Sequence, residues 1–322
     1  MRFRCSAVFR IMVAVALHGS LGLLPMQSSD ADEVEWHWRQ SETKLALCKG
    51  DLVIWQLVAD PQEAKAYFHP LASLDGEVLT NLKPADHPWH RGLWWSWKYI
   101  NGLNYWEENP KTGKSQGVTE LTALEFTPRD DFSATAKLSI SYHPPGQASV
   151  MTELRTILVT KPDRDGRYRI DWNSSFTAGN APVDLGRTPL EHEPDGKNYG
   201  GYAGLSLRLV PHDDAWSIRT SDGPSDFADA HGKAFRWVDF SIAGPGIAVC
   251  DHPKNLRYPS PWYLHNKKPM NYFSPAFLFN EPLMLQAGQS VAFNYRVLVH
   301  SNPMTADQID ADWRAFASGV TP

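Results

Sequence analysis

The stretch LRTILVTKPDRDGRYRIDWNS, residues 154–174, decides the fold class of this chain. Its two ends, residues 154–160 and 168–174, carry the apolar, β-branched and alternating side chains that are typical of strands. Between them lies PDRDG, residues 162–166, a cluster of residue types that favour turns. The stretch therefore predicts two consecutive strands joined by a tight turn.

The same alternation recurs on both sides of this stretch. Residues 135–142, 205–209 and 291–300 alternate apolar with polar or small side chains, as half-buried strands do. Ala287-Gly288 predicts a turn that joins the last of these strands to residues 282–285. No long helical pattern interrupts the strands. We therefore expect an all-β fold, a large antiparallel β-sandwich, with a jelly roll as the alternative.

One helix is predicted, at the C-terminal end of the chain. Thr305 and Gln308 have the spacing of a capping box, in which each side chain bonds the other residue's backbone N–H. Ile309 and Trp313 follow at helical spacing, and Gly319 is a plausible stop.

The first 29 residues have the pattern of a secretory signal peptide. Arg2, Arg4 and Arg10 form a basic start, residues 11–24 are mainly apolar, and the chain turns polar from residue 27. The apolar stretch is shorter than the roughly 20 residues that a membrane span needs. We therefore expect a signal peptide at residues 1–29 and a single β-sandwich domain at residues 30–322. The expected location is periplasmic or extracellular, with no membrane association beyond export.

Charge excludes one class of partner. The 322 residues include 31 Lys and Arg against 36 Asp and Glu, and residues 1–29 contain three Arg and no acid. Removing them leaves 28 basic residues against 36 acidic ones, a net charge of −8. Nucleic-acid binders normally present a basic patch, so we expect no nucleic-acid partner.

Two cysteines, Cys48 and Cys250, remain after this removal. An oxidising compartment would let them form a disulfide only if they lie close together. Two buried free thiols are an equally good interpretation. No Cys-x-x-Cys motif indicates a zinc or redox site.

Tryptophan is the unusual feature of the composition, with 13 in the chain and five between residues 89 and 106. Within this segment Asn101-Gly102 predicts a two-residue hairpin turn. Extending the pairing outward from the turn places Trp95, Trp97 and Trp106 on one face. We expect this face to line a cleft, since aromatic rings beside polar side chains suit sugars. For about half of these aromatic residues, burial between layers is the better interpretation.

The densest polar cluster, DHPWHRG at residues 86–92, lies just before the hairpin. The proline in it argues against a helix. His87 or His90 is a candidate general acid or base, and Asp86 is a candidate to fix the tautomer. Arg91 is a candidate clamp for a carboxylate, for hydroxyls or for an oxyanion. Two histidines at this spacing are also a weak metal signal, and the cluster could instead tie the loop to the sheet.

Other candidate residues are dispersed along the chain. Glu107 follows the hairpin, and Glu191 and His192 precede a glycine-rich segment. Further polar residues beside aromatic ones are His69, His252 and Tyr263. Each of them, taken singly, can equally be a satisfied structural residue. The absence of a Gly-x-Ser-x-Gly motif argues against an α/β-hydrolase.

Several short motifs resemble a bacterial family labelled PmoA-like, or methane oxygenase PmoA. They are YFHPL (67–71), DHPWHRGLW (86–94), NGLNYW (101–106), YAGLSLR (202–208), DHP (251–253), FSPAF (273–277) and YRVLVH (295–300). The resemblance covers roughly residues 50–300. It implies an uncharacterised exported protein and assigns no catalytic residue.

The chain resembles, more loosely, the large sandwiches of aldose mutarotases and related carbohydrate enzymes. The strand that ends in YRVLV, with a Leu-x-Ala-Gly turn before it, is similar to the last hairpin of that class. In mutarotases a His acid and a Glu base act on opposite sides of the sugar ring oxygen. The resemblance implies a sugar substrate and assigns neither role to a particular residue of this chain.

Together these observations predict an exported carbohydrate-active enzyme that uses acid/base chemistry on a sugar, an oxidised sugar or a glycoside, as an epimerase, lyase or hydrolase. His87 and His90 are the predicted proton-transfer residues, with Glu107 or Glu191 as the opposing carboxylate. The predicted substrate-binding residues are His69, Asp86, Arg91, Trp95, Trp97, Trp106, His192, His252 and Tyr263.

Two alternatives to this enzyme stay open. One is a non-catalytic glycan-binding sandwich, and the other is a metal-dependent enzyme that uses His69, His87, His90 or His252. Apart from that metal we expect no cofactor. The expected partner is a carbohydrate or another small molecule, and the oligomeric state is left open.

Overall fold

Antiparallel strand pairing organises the computed structural model, which describes residues 35–63, 65–212 and 215–319. The predicted signal peptide lies outside these ranges. In chain order the strands are β1 Trp36–Gln40, β2 Lys44–Lys49, β3 Leu52–Val58, β4 Tyr67–Leu71, β5 Leu93–Ser96, β6 Tyr99–Ile100, β7 Leu103–Asn104, β8 Val118–Pro128, β9 Ala134–His143, β10 Met151–Val159, β11 Arg167–Ala178, β12 Val183–Gly186, β13 Gly204–Leu209, β14 Ser217–Thr220, β15 Gly223–Ser225, β16 Trp237–Ser241, β17 Gly246–Asp251, β18 Trp262–His265, β19 Asn271–Pro275, β20 Leu283–Leu285 and β21 Ser290–His300. The helices are a single turn, α1 Phe227–Ala230, and α2 Ala306–Ala317, with a 3-10 turn at Pro61–Glu63.

The largest sheet of the described residues has nine strands in the order β15-β14-β16-β17-β21-β11-β10-β9-β8. Residues 154–174 contribute to the β10–β11 hairpin, in which Ile157 pairs with Trp172. Side chains of β11 alternate between buried and half-buried, which is the period that the sequence shows. The prediction of antiparallel strands in this stretch is therefore confirmed.

A second sheet packs face to face against the first and makes the fold a sandwich. Its described strands follow the order β1-β2-β3-β4-β5-β13-β19-β18. Aromatic rings meet between the two sheets, with centroids 6.4 Å apart for Phe68 and Trp172 and 4.1 Å apart for Phe240 and Phe273. Each large side chain buried in this core contributes about 1.5–3 kcal/mol. The two sheets together exceed the eight strands of a jelly roll, so the larger sandwich is confirmed.

A small third sheet, in the order β20-β12-β6-β7, contains the predicted Asn-Gly hairpin. Tyr99 pairs with Asn104, and Asn101 and Gly102 adopt φ angles of 50° and 77° at the turn. A type I′ turn needs these positive values, which explains the residue choice.

The predicted turn at Ala287-Gly288 is confirmed, but the two strands that it joins do not pair with each other. These residues do connect β20 to β21, but β20 pairs with β12 in the small sheet. Both edges of β21 are already occupied, one by β11 and the other by β17. The turn therefore joins two sheets and does not close a hairpin.

The tryptophan-rich hairpin is shorter than predicted. Strand β5 belongs to the eight-stranded sheet, and Trp97 and Lys98 cross from it to the small sheet before β6 begins. Because alternation does not continue through this crossing, the predicted face divides. Trp95 and Trp97 pack in the main core, each with its ring centroid 4.9 Å from that of Phe176. Burial between layers, which was expected for about half of these aromatic residues, is therefore the position of Trp95 and Trp97, whereas Trp106 faces away from that core.

The C-terminal helix α2 forms as predicted and packs on the outer face of the nine-stranded sheet. Thr305 is its N-cap in a complete capping box with Gln308, and Gly319 has φ of 76° just beyond its end. Ile309 is fully buried in a cluster with Trp237 of β16. Among the described residues, the helices are all too short or too polar to cross a membrane.

Both cysteines are buried free thiols. Cys48 lies in β2 of one large sheet and Cys250 in β17 of the other. Burial raises the pKa of each thiol above its ordinary value. The two-thiol interpretation is therefore the one that the structure shows.

Candidate functional site

A cavity of about 290 Å³ lies beside the polar cluster at residues 86–92. This volume is at the small end of the range for sites that bind small molecules. Its walls are His87, Trp89, His90, Trp106, Glu107, Tyr199, Tyr202, Tyr263, Met270 and Tyr272. The predicted site residues that meet in these walls are His87, His90, Trp106, Glu107 and Tyr263.

Tight turns carry the polar cluster to the cavity. The His87 N–H donates to the carbonyl of Pro84, and the His90 N–H donates to the carbonyl of His87. Gly92 then turns the chain into β5 with φ of 66°, and a Cβ atom there would lie 2.4 Å from the carbonyl oxygen of Phe68 on β4. Only glycine tolerates this approach, so the loop is anchored directly against the sheet.

Asp86 and His87 form a carboxylate–imidazole pair that Arg208 of β13 holds in place. Both oxygens of Asp86 accept hydrogen bonds from Nη2 of Arg208, at 2.8 and 2.7 Å, and Oδ2 lies 2.9 Å from Nδ1 of His87. Burial raises the pKa of Asp86, but its bonds to Arg208 and His87 outweigh burial and leave the pKa below its usual value. The ionised Asp86 fixes Nδ1 of His87 as a donor. Nε2 is therefore the nitrogen that can exchange a proton with a ligand.

His90 is a neutral wall of the cavity. Its ring is stacked on His87 at 4.7 Å and lies 5.1 Å from the rings of both Trp94 and Tyr272. Burial is the main cause that lowers the pKa of His90 well below its ordinary value, and the neighbouring His87 and Arg208 act in the same direction. A ring that stays uncharged is a poor proton donor, so the geometry favours His87 over His90 for proton transfer.

Glu107 presents a carboxylate in the cavity wall, with its side chain about one-third exposed. Lys98 pairs with Oε1, the Asn104 amide donates to Oε2, and the Tyr202 hydroxyl lies 3.4 Å from Oε1. Burial raises the pKa of Glu107, but Lys98 and Asn104 outweigh it and hold the pKa below its usual value. Glu107 is therefore an ionised carboxylate at neutral pH.

Arg91, the predicted substrate clamp, has its guanidinium paired with carboxylates of the protein. Its Nη2 donates to both carboxylate oxygens of Glu108, at 2.9 and 2.8 Å, and its Nε lies 3.3 Å from Glu63. Lys65 shares Glu108 and also donates to the carbonyl of Trp106. Arg91 therefore ties the loop and the hairpin together, which is the structural alternative considered for this cluster.

Sequence reasoning missed several walls of the cavity. Tyr199 and Tyr202 lie in the glycine-rich segment that follows the predicted residues Glu191 and His192. Tyr272 of β19 donates to or accepts from Ser206 of β13 at 2.9 Å. The aromatic content of these segments was the only available signal, since nothing local indicates which strand ends converge.

The remaining predicted site residues lie outside the cavity walls. Glu191 and His192 are exposed, whereas their neighbour Glu193 accepts from Arg187 at 2.6 and 2.7 Å. His69 of β4 is held by Thr80, with 3.0 Å between Nδ1 and Oγ1, and burial lowers its pKa. These residues therefore do not join His87 in the cavity walls, and each faces its own local partner or solvent.

The second Asp-His-Pro string, at residues 251–253, has a structural environment. Asp251 accepts from the backbone N–H of Ser260 and from the Asn255 amide, both at 2.7 Å. His252 packs on Phe316 of α2 with ring centroids 4.9 Å apart, and its Nδ1 accepts from the backbone N–H of Lys254. His252 thus lies beside the C-terminal helix and not in the cavity with His87.

The four histidines of the metal alternative do not converge. His87 and His90 stack on each other, while His69 and His252 have the separate environments described above. Within residues 35–63, 65–212 and 215–319, no three His, Cys, Asp or Glu side chains form a group that could hold a metal ion.

Comparison with solved structures gives only weak similarity. A candidate aldose 1-epimerase from Klebsiella pneumoniae subsp. pneumoniae MGH 78578 has a TM-score of 0.42 and 9% identity, covering 86% of this chain and 84% of that one. A polysaccharide lyase scores 0.28 at 11% identity over 86% of this chain and 34% of its own. A galactose mutarotase related enzyme from Lactobacillus acidophilus scores 0.25 at 10% identity over 83% and 98%. At these scores the similarity carries no conclusion about activity.

Comparison with sequences is more decisive. No curated protein matches the chain. The PmoA-like resemblance has no counterpart among these matches and stays a prediction. A family profile does match residues 44–314, which is most of the chain. This protein therefore belongs to DUF6807, a family of unknown function.

Proposed function

We propose that this protein is an exported enzyme that binds a sugar in the cavity and transforms it by acid/base chemistry of the epimerase, lyase or hydrolase type. One observation carries the proposal. A histidine oriented by a carboxylate, His87, and a second carboxylate, Glu107, line the same small aromatic cavity. In acid/base catalysis, two titratable groups with different environments commonly act as the general acid and the general base.

The walls of the cavity suit a sugar ring. Trp106 and Tyr202 lie with ring centroids 4.9 Å apart, and Tyr263 continues the surface at 5.4 Å from Tyr202. Aromatic faces pack on the C–H faces of a sugar, while phenol hydroxyls, Nε2 of His87 and the Glu107 carboxylate bond its hydroxyls. A cavity of about 290 Å³ is matched to one sugar unit rather than to a long chain.

The environments of the two groups indicate their roles. Because Lys98 and Asn104 keep Glu107 ionised, Glu107 takes a proton from a hydroxyl or an acidic C–H bond. His87 gives a proton through Nε2 to the ring oxygen or to a leaving oxygen, and Asp86 stabilises the charge on its ring. Each such contribution is worth about 10²–10⁴-fold in rate.

Proton NMR of the purified protein with a panel of sugars, uronates and aryl glycosides tests this proposal. Faster exchange of α and β anomers, a new vinyl proton, or a new reducing end would identify an epimerase, a lyase or a hydrolase respectively. We expect His87→Gln and Glu107→Gln to lower turnover by about 10²-fold or more. His192→Gln and Glu191→Gln are matched controls, since both residues are exposed and outside the cavity walls.

Two results would overturn the proposal. Unchanged turnover in both cavity variants would remove His87 and Glu107 from the reaction. Sugar binding without any product would instead identify a glycan-binding protein.

Export is part of the same proposal and rests on residues 1–29. Expressing the full chain in a bacterium and sequencing the N-terminus of the periplasmic product tests it. We expect cleavage near residue 29, and an intact N-terminus in the cytoplasm would contradict it.

A further inference from the structure

The charged side chains in and around the cavity form ion pairs with other side chains of the protein. Glu107 is the one carboxylate among the described wall residues, and Lys98 pairs with it directly. Lys98 is itself buried, and burial lowers its pKa while Glu107 opposes this. The negative charge of Glu107 is therefore balanced by the positive charge of Lys98 before any ligand binds.

The carboxylate behind His87 is balanced in the same way. Asp86 shares both of its oxygens with the fully buried Arg208, whose Nη2 also lies 3.3 Å from the carbonyl of Pro269. Arg208 therefore turns its charge toward Asp86 and away from the cavity contents.

A third group of charges lies behind the aromatic wall. Arg91 and Lys65 both bond Glu108, and Nζ of Lys65 also donates to the carbonyls of Trp89 and Trp106. Burial lowers the pKa of Lys65 to about 8, with Glu108 opposing. Arg91 and Lys65 are already paired with Glu108, and neither belongs to the cavity walls.

We infer that the ligand of this cavity is an uncharged sugar and not a sugar acid, a sugar phosphate or an amino sugar. This inference rests on the proposed function, since it names the substrate class of the same site. An anionic sugar would be desolvated next to Glu107. His87, the described wall residue that could carry a positive charge toward it, is already paired with Asp86 at 2.9 Å, so the anion would lack a free countercharge, which is costly.

A cationic sugar is disfavoured for a different reason. Aromatic rings attract cations, but Lys98 already lies over the rings of Tyr99 and Tyr202, with Nζ 5.2 and 5.4 Å from their centroids. A second ammonium group would meet Lys98 as a like charge. The hydroxyls of a neutral sugar, in contrast, can bond Glu107 and His87 without changing the charge balance.

Isothermal titration calorimetry with two matched series tests the inference: glucose, glucuronate and glucosamine, and galactose, galacturonate and galactosamine. We expect the neutral member of the series that binds to bind at least about tenfold more tightly than its acid or amine. A uronate or amino sugar that binds as tightly as the neutral sugar overturns the inference and leaves the sugar proposal standing. Failure of every sugar in the panel overturns the proposed function itself.

Variants of the internal pair give a second, directional test. Glu107→Gln leaves Lys98 without its carboxylate, so the affinity for the uronate relative to the neutral sugar should rise about tenfold or more. Lys98→Met leaves Glu107 unpaired and should shift preference toward the amino sugar.

Glu125→Gln is the matched control, because it frees Lys137 from a similar pair on an exposed strand face. It should leave the ratio of affinities unchanged. A ratio that is the same in wild type, Glu107→Gln and Lys98→Met would show that this pair does not set the charge of the ligand.

Discussion

Replacing Asp251 by Asn should flatten the dependence of stability on pH. The carboxyl of Asp251 is buried at the end of β17, and burial raises its pKa to about 6 against the opposing bonds from Ser260 and Asn255. A raised pKa means that the folded protein binds the proton more tightly than the unfolded chain. The resulting stability is fully present below the unfolded pKa of about 4 and is lost as pH rises through about 6.

The magnitude follows from the two pKa values. The rise from 3.8 to about 6 corresponds to about 3 kcal/mol at about 1.36 kcal/mol per pKa unit. About half of this, roughly 1.5 kcal/mol, is lost between pH 5 and pH 8. Asn does not titrate, so the free energy of unfolding of Asp251→Asn should fall by about 1.5 kcal/mol less than that of wild type over this interval. Any loss from the altered hydrogen bonds is the same at both pH values and cancels.

Urea denaturation of wild type and variant at pH 5 and pH 8 measures this difference. Asp130→Asn is the control, because Asp130 is an exposed carboxyl whose removal changes the charge equally. It should leave the pH dependence close to that of wild type. Equal pH dependence in wild type and Asp251→Asn would refute the burial of an ionised carboxylate at this position.

Three further measurements test the structure. Trp95→Ala should lower the free energy of unfolding by about 3–5 kcal/mol in urea titrations and leave sugar affinity unchanged, whereas Trp106→Ala should weaken sugar binding in calorimetry. The reverse assignment would mean that Trp95 lines the cavity. Thr305→Ala should cost about 1 kcal/mol in the same urea titration, with Thr305→Ser close to wild type, since only the serine keeps the cap. Cys48 and Cys250 should react with a thiol reagent only after unfolding, and a disulfide in the exported protein would contradict the free thiols.

The local sequence pattern was sufficient to predict where the strands lie but not which strands pair with each other. Alternation at residues 135–142 and 168–174 reflects one buried face, which depends only on adjacent side chains. The partners of β21 depend instead on which edges β11 and β17 leave open, and no residue near Ala287 reports that. The sequence therefore predicted the turn at Ala287-Gly288, but not that this turn connects strands of two different sheets.

Alternation also failed to assign the tryptophan side chains to the correct faces, for a related reason. Alternation assigns faces only while a chain stays in one sheet, and the chain changes sheet at Trp97 and Lys98. Nothing in the local composition marks this crossing, because both neighbouring segments have the strand pattern. The aromatic residues were therefore divided between the main core and the cavity.

The candidate site was found where its parts are adjacent in sequence and missed where they are not. Asp86 and His87 are neighbours, so their pairing could be anticipated. Arg208, which holds Asp86, occupies a polar position of β13 that alternation would assign to solvent. Every residue of β13 is buried, because its outer side faces the cavity loops. Arg91 is adjacent to the histidines in sequence, but its partner Glu108 lies across the hairpin, which the local sequence does not indicate.

The cavity walls come from chain segments as far apart as His87 and Tyr272, so the site exists only in the folded protein. Ligand binding and folding are therefore linked equilibria. A sugar present at one hundred times its dissociation constant would add about 2.7 kcal/mol to the free energy of unfolding. For a chain of this size that raises the midpoint of thermal unfolding by about 4–5 °C. A melting experiment can thus identify the ligand before any reaction is known, and a peptide of residues 86–106 alone should bind nothing.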